Sequence, residues 1–181
     1  MPLPKKQIYT SEDYWNLPDG QRAELIGGKL YSMAPPNFLH QKLVMELAGT
    51  IREYIKSHNG TCEVIPAPFA VNLDANDTDW VEPDISVVCD KSKLDDKGCN
   101  GAPDWIVEII SPSSRKRDYT TKNTLYSEAG VREYWVVDPA KKRITVYYYE
   151  DDVAPSLYTF DMSVPCGIFP DLKITINDLL E

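Results

Sequence analysis

Two acidic residues stand inside stretches of this chain that otherwise read as buried β-strands. Asp84 opens the run Asp84-Ile85-Ser86-Val87-Val88-Cys89, and Glu108 is centred in Trp105-Ile106-Val107-Glu108-Ile109-Ile110. Apolar, β-branched runs of this length are strand material. An ionised carboxylate buried in such a strand costs on the order of several kcal/mol unless a cation compensates it. Two converging acids with a metal ion between them meet that need, and the arrangement is a catalytic one. Strand side chains alternate between faces, so Asp84, Ser86 and Val88 share one face, and Ile106, Glu108 and Ile110 share one. On neighbouring strands the two acids would point the same way, about 5 Å apart. Plainer accounts exist: Asp84 as a strand-entry residue after Pro83, and Glu108 as half of a buried ion pair with an arginine.

The residues around this pair read as a mixture of helices and strands. Thr10-Ser11-Glu12-Asp13 opens a short helix through about Leu17, stopped by Pro18-Asp19-Gly20. Ala23–Ile26 and Lys29–Met33 flank Gly27-Gly28 as a hairpin. From Leu39, apolar residues at 43, 44, 47, 51, 54 and 55 mark one face of a long helix that Asn59-Gly60 ends. Strands are expected over Cys62–Ile65, Pro68–Leu73, Asp84–Cys89 and Trp105–Ile110, with loops at Asp74–Asp79 and Asp90–Asn100. A second helix spans Arg117–Ala129, followed by a hairpin of Arg132–Asp138 and Arg143–Glu150. Leu157–Phe160 reads as an edge strand, and Asn177 as the cap of a C-terminal helical turn. This order implies an α/β (α+β mixed) fold built on one central sheet, in a single domain over residues 1–181.

Composition narrows the function classes. No stretch approaches the roughly 20 apolar residues that cross a bilayer, and Met1–Lys6 lacks the apolar core of a signal peptide. The four cysteines, Cys62, Cys89, Cys99 and Cys166, are scattered, so neither a disulfide framework nor a zinc site is expected. Cys89, in a strand-like run, reads as simply buried. A cytoplasmic protein follows. The net charge of −9 argues against coating nucleic acid by bulk electrostatics, yet a local basic groove would still serve a nucleic-acid enzyme.

Further candidates cluster near the acids in sequence. Arg115-Lys116-Arg117 follows the Glu108 strand closely, as a phosphate-holding patch or a solvated basic turn. Asp118, Lys122 and Tyr126 recur at i, i+4 and i+8, on one helix face. Lys122 could reach the acids and stabilise a phosphoryl transition state, or simply pair with Asp118 at the surface. Glu24 is another acid inside an apolar strand, and His40 begins the long helix. Gathered together, Glu24, His40, Asp84 and Glu108 would suit Mg²⁺ or Mn²⁺, the histidine favouring Mn²⁺. No dinucleotide-binding, P-loop, H-E-x-x-H or G-x-S-x-G motif is present.

The joint pattern resembles a known family. It runs from Glu24-Leu25-Ile26-Gly27-Gly28-Lys29-Leu30 through Pro35-Pro36, His40, Pro83-Asp84 and Gly101-Ala102-Pro103-Asp104. It continues with Val107-Glu108-Ile109-Ile110-Ser111-Pro112-Ser113, Asp118, Lys122, Tyr126 and Ala129-Gly130-Val131, and closes on Glu133-Tyr134-Trp135-Val136-Val137-Asp138-Pro139. This resembles the Uma-two family of restriction-endonuclease-like proteins, within the PD-(D/E)XK nuclease superfamily, over about residues 10 to 180. The resemblance implies a central mixed sheet flanked by helices, with Asp84 and Glu108 as the first and second acids. It also implies a divalent metal, usually Mg²⁺, and hydrolysis of DNA phosphodiesters. The superfamily lysine should stand two residues after the second acid, where this chain has Ile110. Members with the lysine moved to a neighbouring helix make Lys122 its substitute. A binding or regulatory protein on the same scaffold is the alternative, and a homodimer stays open.

Overall fold

The computed structural model describes residues 8–75, 77–151 and 153–181. The Met1–Lys6 segment and Asn76 of the Asp74–Asp79 loop lie outside the described residues.

Helix α1 (Ser11–Trp15) is set by a capping box, in which Thr10 and Asp13 exchange bonds between side chain and backbone. Strands β1 (Ala23–Ile26) and β2 (Lys29–Ser32) form the expected hairpin, with Gly27 and Gly28 at φ +55° and +71°. Both turn residues need positive φ, so the two glycines specify the turn type. The long helix α2 (Phe38–Ser57) starts at Asn37, whose side chain accepts the His40 N–H at 2.9 Å. Its stripe of Leu43, Leu47, Ile51 and Ile55 is buried. Full burial of each such side chain is worth roughly 1.5–3 kcal/mol.

Next come β3 (Glu63–Pro66), β4 (Val71–Asn72), β5 (Trp80–Val81) and β6 (Ile85–Val88). The Asp90–Asn100 segment, expected as a loop, holds a 3-10 turn (Lys91–Lys93) and two short strands, β7 (Leu94–Asp95) and β8 (Gly98–Asn100). β8 lies parallel to β4, and at Gly98 a Cβ would stand 2.0 Å from the Ala70 carbonyl oxygen. Only glycine permits that approach. β9 (Trp105–Ile109), a π-helical turn (Arg117–Lys122) and α3 (Asn123–Ala129) follow, and Gly130 closes α3 in the left-handed region. The chain ends with β10 (Glu133–Asp138), β11 (Arg143–Tyr148), β12 (Ser156–Thr159), β13 (Val164–Pro165), β14 (Lys173–Ile174) and α4 (Ile176–Leu180). The N-cap of α4 is Thr175, and Asn177, expected there, is the second residue of the helix.

The single central sheet of the sequence reading becomes two six-stranded sheets, ordered β2-β1-β5-β4-β8-β7 and β12-β11-β10-β9-β6-β3, with β13-β14 apart. The second is mixed: β9 runs parallel to β10 and antiparallel to β6. α2 covers one of its faces, meeting Ile85, Val87, Trp105, Val107 and Ile109. The opposite face, with Ile106, Ile110, Tyr134 and Val136, packs on Ile26, Val71 and Val81 of the first sheet and on Tyr126 of α3. β6, β9 and β10 are therefore covered on both sides, which explains their unbroken apolar runs. The outer face of the first sheet closes on α1 through Tyr14, Leu25 and Trp80.

One expectation about cysteine is overturned: Cys62 and Cys89 form a disulfide, and only Cys99 and Cys166 are free and buried. The Glu63↔Val88 register of β3 and β6 sets the two residues opposite each other at the strand ends. Among the described residues no helix is long and apolar enough to cross a membrane.

Candidate active site

The β6–β9 register pairs Ile85 with Val107, and continued by one residue it sets Asp84, just before β6, opposite Glu108 of β9. The Asp84 charge acts on Glu108 from this neighbouring position. Asp84 Oδ2 accepts the Ile109 N–H at 2.7 Å and lies 3.2 Å from His40 Nε2. Asn37 fixes the first turn of α2, so a local cap aims His40 at Asp84. The hydrogen bond and charge of Asp84 raise the His40 pKa even though burial pulls it down.

Glu108 is almost fully buried, and its Oε1 accepts from Lys122 Nζ at 2.8 Å and from the Tyr126 hydroxyl at 2.6 Å. Lys122 also meets Glu24 Oε1 at 2.7 Å, and Asp118 Oδ1 lies 3.6 Å away. Lys122 stays an ammonium: burial alone would lower its pKa, but Glu108, Glu24 and Asp118 outweigh that and raise it. Glu108 is held well above the usual carboxylate range, by burial first and then by Asp84, Asp118 and Glu24, while Lys122 pulls the other way. Burial likewise raises Asp118. Lys122 and, at Glu24, Arg117 are two cations serving three buried acids, which leaves the cluster one positive charge short.

The helical face seen in the sequence is real, but its first part is not an α-helix. Residues Arg117–Lys122 take a π-helical turn, and the Tyr134 hydroxyl donates to the Asp118 carbonyl oxygen at 3.1 Å. An inserted side chain of this kind widens a helical turn, a feature common at functional sites.

Glu24 is engaged by cations and by a backbone N–H. It orients Lys122, accepts the Glu82 N–H at 3.2 Å, and lies 3.5 Å from Arg117 Nε. Among the described residues, no group of three or more His, Cys, Asp or Glu side chains is arranged to hold a metal ion. In the expected quartet of Glu24, His40, Asp84 and Glu108, the oxygens Asp84 Oδ1, Glu108 Oε2 and Glu24 Oε2 carry no hydrogen bond among the described residues, the last of them lying near Arg117. Hard oxygen donors with a surplus of negative charge fit a cation such as Mg²⁺, which keeps several waters and needs only one or two carboxylates.

The basic triplet does not project as one patch. Arg115 grips the buried Asp138 with its two terminal guanidinium nitrogens, Nη2 at 3.0 Å from Oδ1 and Nη1 on Oδ2. Arg117 turns toward Glu24 and lies over the Tyr31 ring. Lys116 alone of the three is exposed. Sequence reasoning missed Tyr134, and it missed Glu82, whose Oε2 accepts from Nε and Nη2 of Arg22 and whose Oε1 accepts from the Tyr14 hydroxyl at 3.3 Å. The acid at position 82, two residues before Asp84 in an apolar context, was the available signal.

Two packed mixed sheets flanked by helices, with Glu108 on β9, Asp84 at the entry to β6 and Lys122 at the end of the π-helical turn, make a restriction-endonuclease-like fold. The chain belongs to the Uma2 family, described as "Putative restriction endonuclease", whose model matches residues 11–177. It is similar to the uncharacterized protein slr1290 of Synechocystis sp., 25% identical over 154 residues, covering 83% of this chain and 78% of that one. Its fold is that of a crystal structure titled as a putative nuclease belonging to DUF820 from Anabaena variabilis. The TM-score is 0.76 at 24% identity, covering 94% of this chain and 96% of that one.

Proposed function

We propose that this protein is a divalent-metal-dependent nuclease that hydrolyses DNA phosphodiester bonds at Asp84, Glu108 and Lys122. The observation that carries the reading is the 2.8 Å contact of Lys122 Nζ with Glu108 Oε1, which supplies from a helix the cation that Ile110 cannot. Asp84 Oδ1 and Glu108 Oε2 are the atoms that would hold Mg²⁺ or Mn²⁺. Such an ion, when bound, lowers the pKa of a coordinated water and offsets charge on the phosphate. His40 and the Ile109 N–H hold Asp84 in place through its other oxygen. Tyr126 and Lys122 do the same for Glu108. Glu24 keeps the Lys122 ammonium aimed at the acids, where it can stabilise charge developing on the phosphoryl oxygens. Lys116, exposed at the helix entry, is the residue of the basic triplet free to meet a phosphate.

A second reading, a non-catalytic nucleic-acid-binding or regulatory protein, is favoured by one observation. Lys122 is already engaged by both Glu24 and Glu108 and is only 3% exposed, so the site is closed by its own ion pairs. A cytoplasmic setting belongs to the nuclease reading. The Cys62–Cys89 disulfide stands against that setting, because disulfides are rare in reducing compartments.

The deciding experiment is Mg²⁺- or Mn²⁺-dependent nicking of plasmid and single-stranded DNA, with Asp84→Ala as the blank. The nuclease reading expects cleavage that needs both the metal and Asp84. Cleavage no greater than the blank in either metal selects the binding reading.

A further inference from the structure

At the end of β6 remote from Asp84, five residues or roughly 17 Å along the strand at about 3.4 Å per residue, the chemistry changes character. The Cys62–Cys89 disulfide joins the edge strand β3 to β6 there, and both cysteines are only partly buried. Beside it lies a cavity of about 180 Å³, whose lining includes Cys62, Arg52 and Lys56 of α2, Lys91 and Glu63. Glu63 pairs with Lys91 at 2.6 Å, while Arg52 and Lys56 are exposed and enter no ion pair among the described residues. Three cations against one anion leave the lining with a charge of +2, on a protein whose net charge is −9. Cys62 lines this cavity and Cys89 does not.

We propose that the disulfide and the basic cavity form a thiol-exchange site for small thiols that carry carboxylates. The cavity concentrates the anionic thiol, and its thiolate attacks Cys62 Sγ. A new S–S bond forms to Cys62 as the Cys62–Cys89 bond breaks, and the electron pair leaves on Cys89 Sγ, which takes a proton from water. Attack by the Cys89 thiolate on the mixed disulfide reverses the step. A second molecule of the same thiol completes the reduction, becoming half of its own disulfide. Rates of such exchange depend on the thiolate fraction, on which sulfur is reached and on access. Here the cavity decides access and the cations decide which thiols gather. The site stands independently of the nuclease reading.

The test uses the full chain. Alkylation of the denatured, unreduced protein should modify two thiols, Cys99 and Cys166; modification of all four overturns the proposal. Reduction is then timed with reduced glutathione, 2-mercaptoethanol and cysteamine at matched thiolate concentration. The anionic thiol should react faster than the cationic one, roughly tenfold at low salt given a local field of this size. That advantage should shrink as salt is raised. Arg52→Glu with Lys56→Glu should reverse the order, and peptide mapping should place the trapped adduct on Cys62. Equal rates insensitive to salt, or an adduct on Cys89, overturn the proposal, and the salt series does so even if the charge-reversed variant fails to fold.

Discussion

Lys122 carries the largest burden of any single residue here. Its ammonium bridges Glu24 and Glu108 in a nearly dry setting, so an interaction with a developing phosphoryl charge would be little screened. Lys122→Ala should lower kcat by about 10²-fold or more while changing DNA affinity little, as expected of a group acting mainly in the transition state. Single-turnover cleavage by parent and variant at saturating metal checks this, and equal rates would refute the migrated-lysine argument. Arg115 gives a second residue-scale prediction, this one about stability. Burial raises the Asp138 pKa, but hydrogen bonds from Arg115 and the Lys141 N–H, with the Arg115 charge, bring it below its ordinary value of 3.8. A depressed carboxylate stabilises the fold above its unfolded pKa and loses that contribution as pH falls through the folded value. Arg115→Leu should therefore cost about 2 kcal/mol near neutrality. The difference from the parent should fade below about pH 3.9, the reference carboxylate value. Urea unfolding from pH 2.5 to 7 measures it; a difference that persists undiminished in acid would show that lost packing, not the ion pair, is responsible.

At the scale of elements, the cross-link between β3 and β6 governs an edge of the larger sheet. It closes a loop of 27 residues' separation in the unfolded chain. In the chain-entropy account such a loop is worth about 3.5 kcal/mol. Cys62→Ser with Cys89→Ser should lose about that much in denaturant unfolding, and a reductant should destabilise the parent but not the variant. The π-helical turn is the other decisive element. It carries Lys122 onto Glu108 with Asp118 beside it, and the Tyr134 hydroxyl pins it. Tyr134→Phe keeps the ring that packs against Tyr126 and removes only that pin, so it isolates the turn's contribution to placing Lys122.

For the whole molecule, the balance of charge is the governing quantity. A chain of net charge −9 repels DNA at long range, so in the proposed nuclease reading binding would have to come from a few local cations and from neutralising the acid cluster. The structure leaves Lys116 as the exposed member of the triplet and ties Arg115 and Arg117 to acids. Lys116→Gln should accordingly weaken DNA binding and flatten the slope of log K against log salt by about one unit. Fluorescence titrations at several salt concentrations read the slope, and an unchanged slope would remove Lys116 from the interface.

Local pattern made much of this molecule legible from the amino-acid sequence alone. The α2 stripe, the Gly27-Gly28 hairpin, the strands around Asp84 and Glu108, and the Gly130 stop follow from residues within a turn or two of each other. Asp84 and Glu108 stood out for the same reason, since an acid in an apolar run is a local anomaly. The partners of charged and sulfur-bearing side chains are not local. Glu24 meets Lys122, Arg115 meets Asp138 and Cys62 meets Cys89 only because sheet register and packing bring distant segments together. Short strands such as β5, β7 and β8 were equally hidden, because two or three residues carry too little periodicity to announce a strand. Their hydrogen bonds come from neighbours across the sheet. The sequence by itself determined which segments have a buried face and where an uncompensated acid would lie. Only the tertiary structure decided which cation answers each acid, because that choice depends on distances between elements that no short stretch of chain encodes.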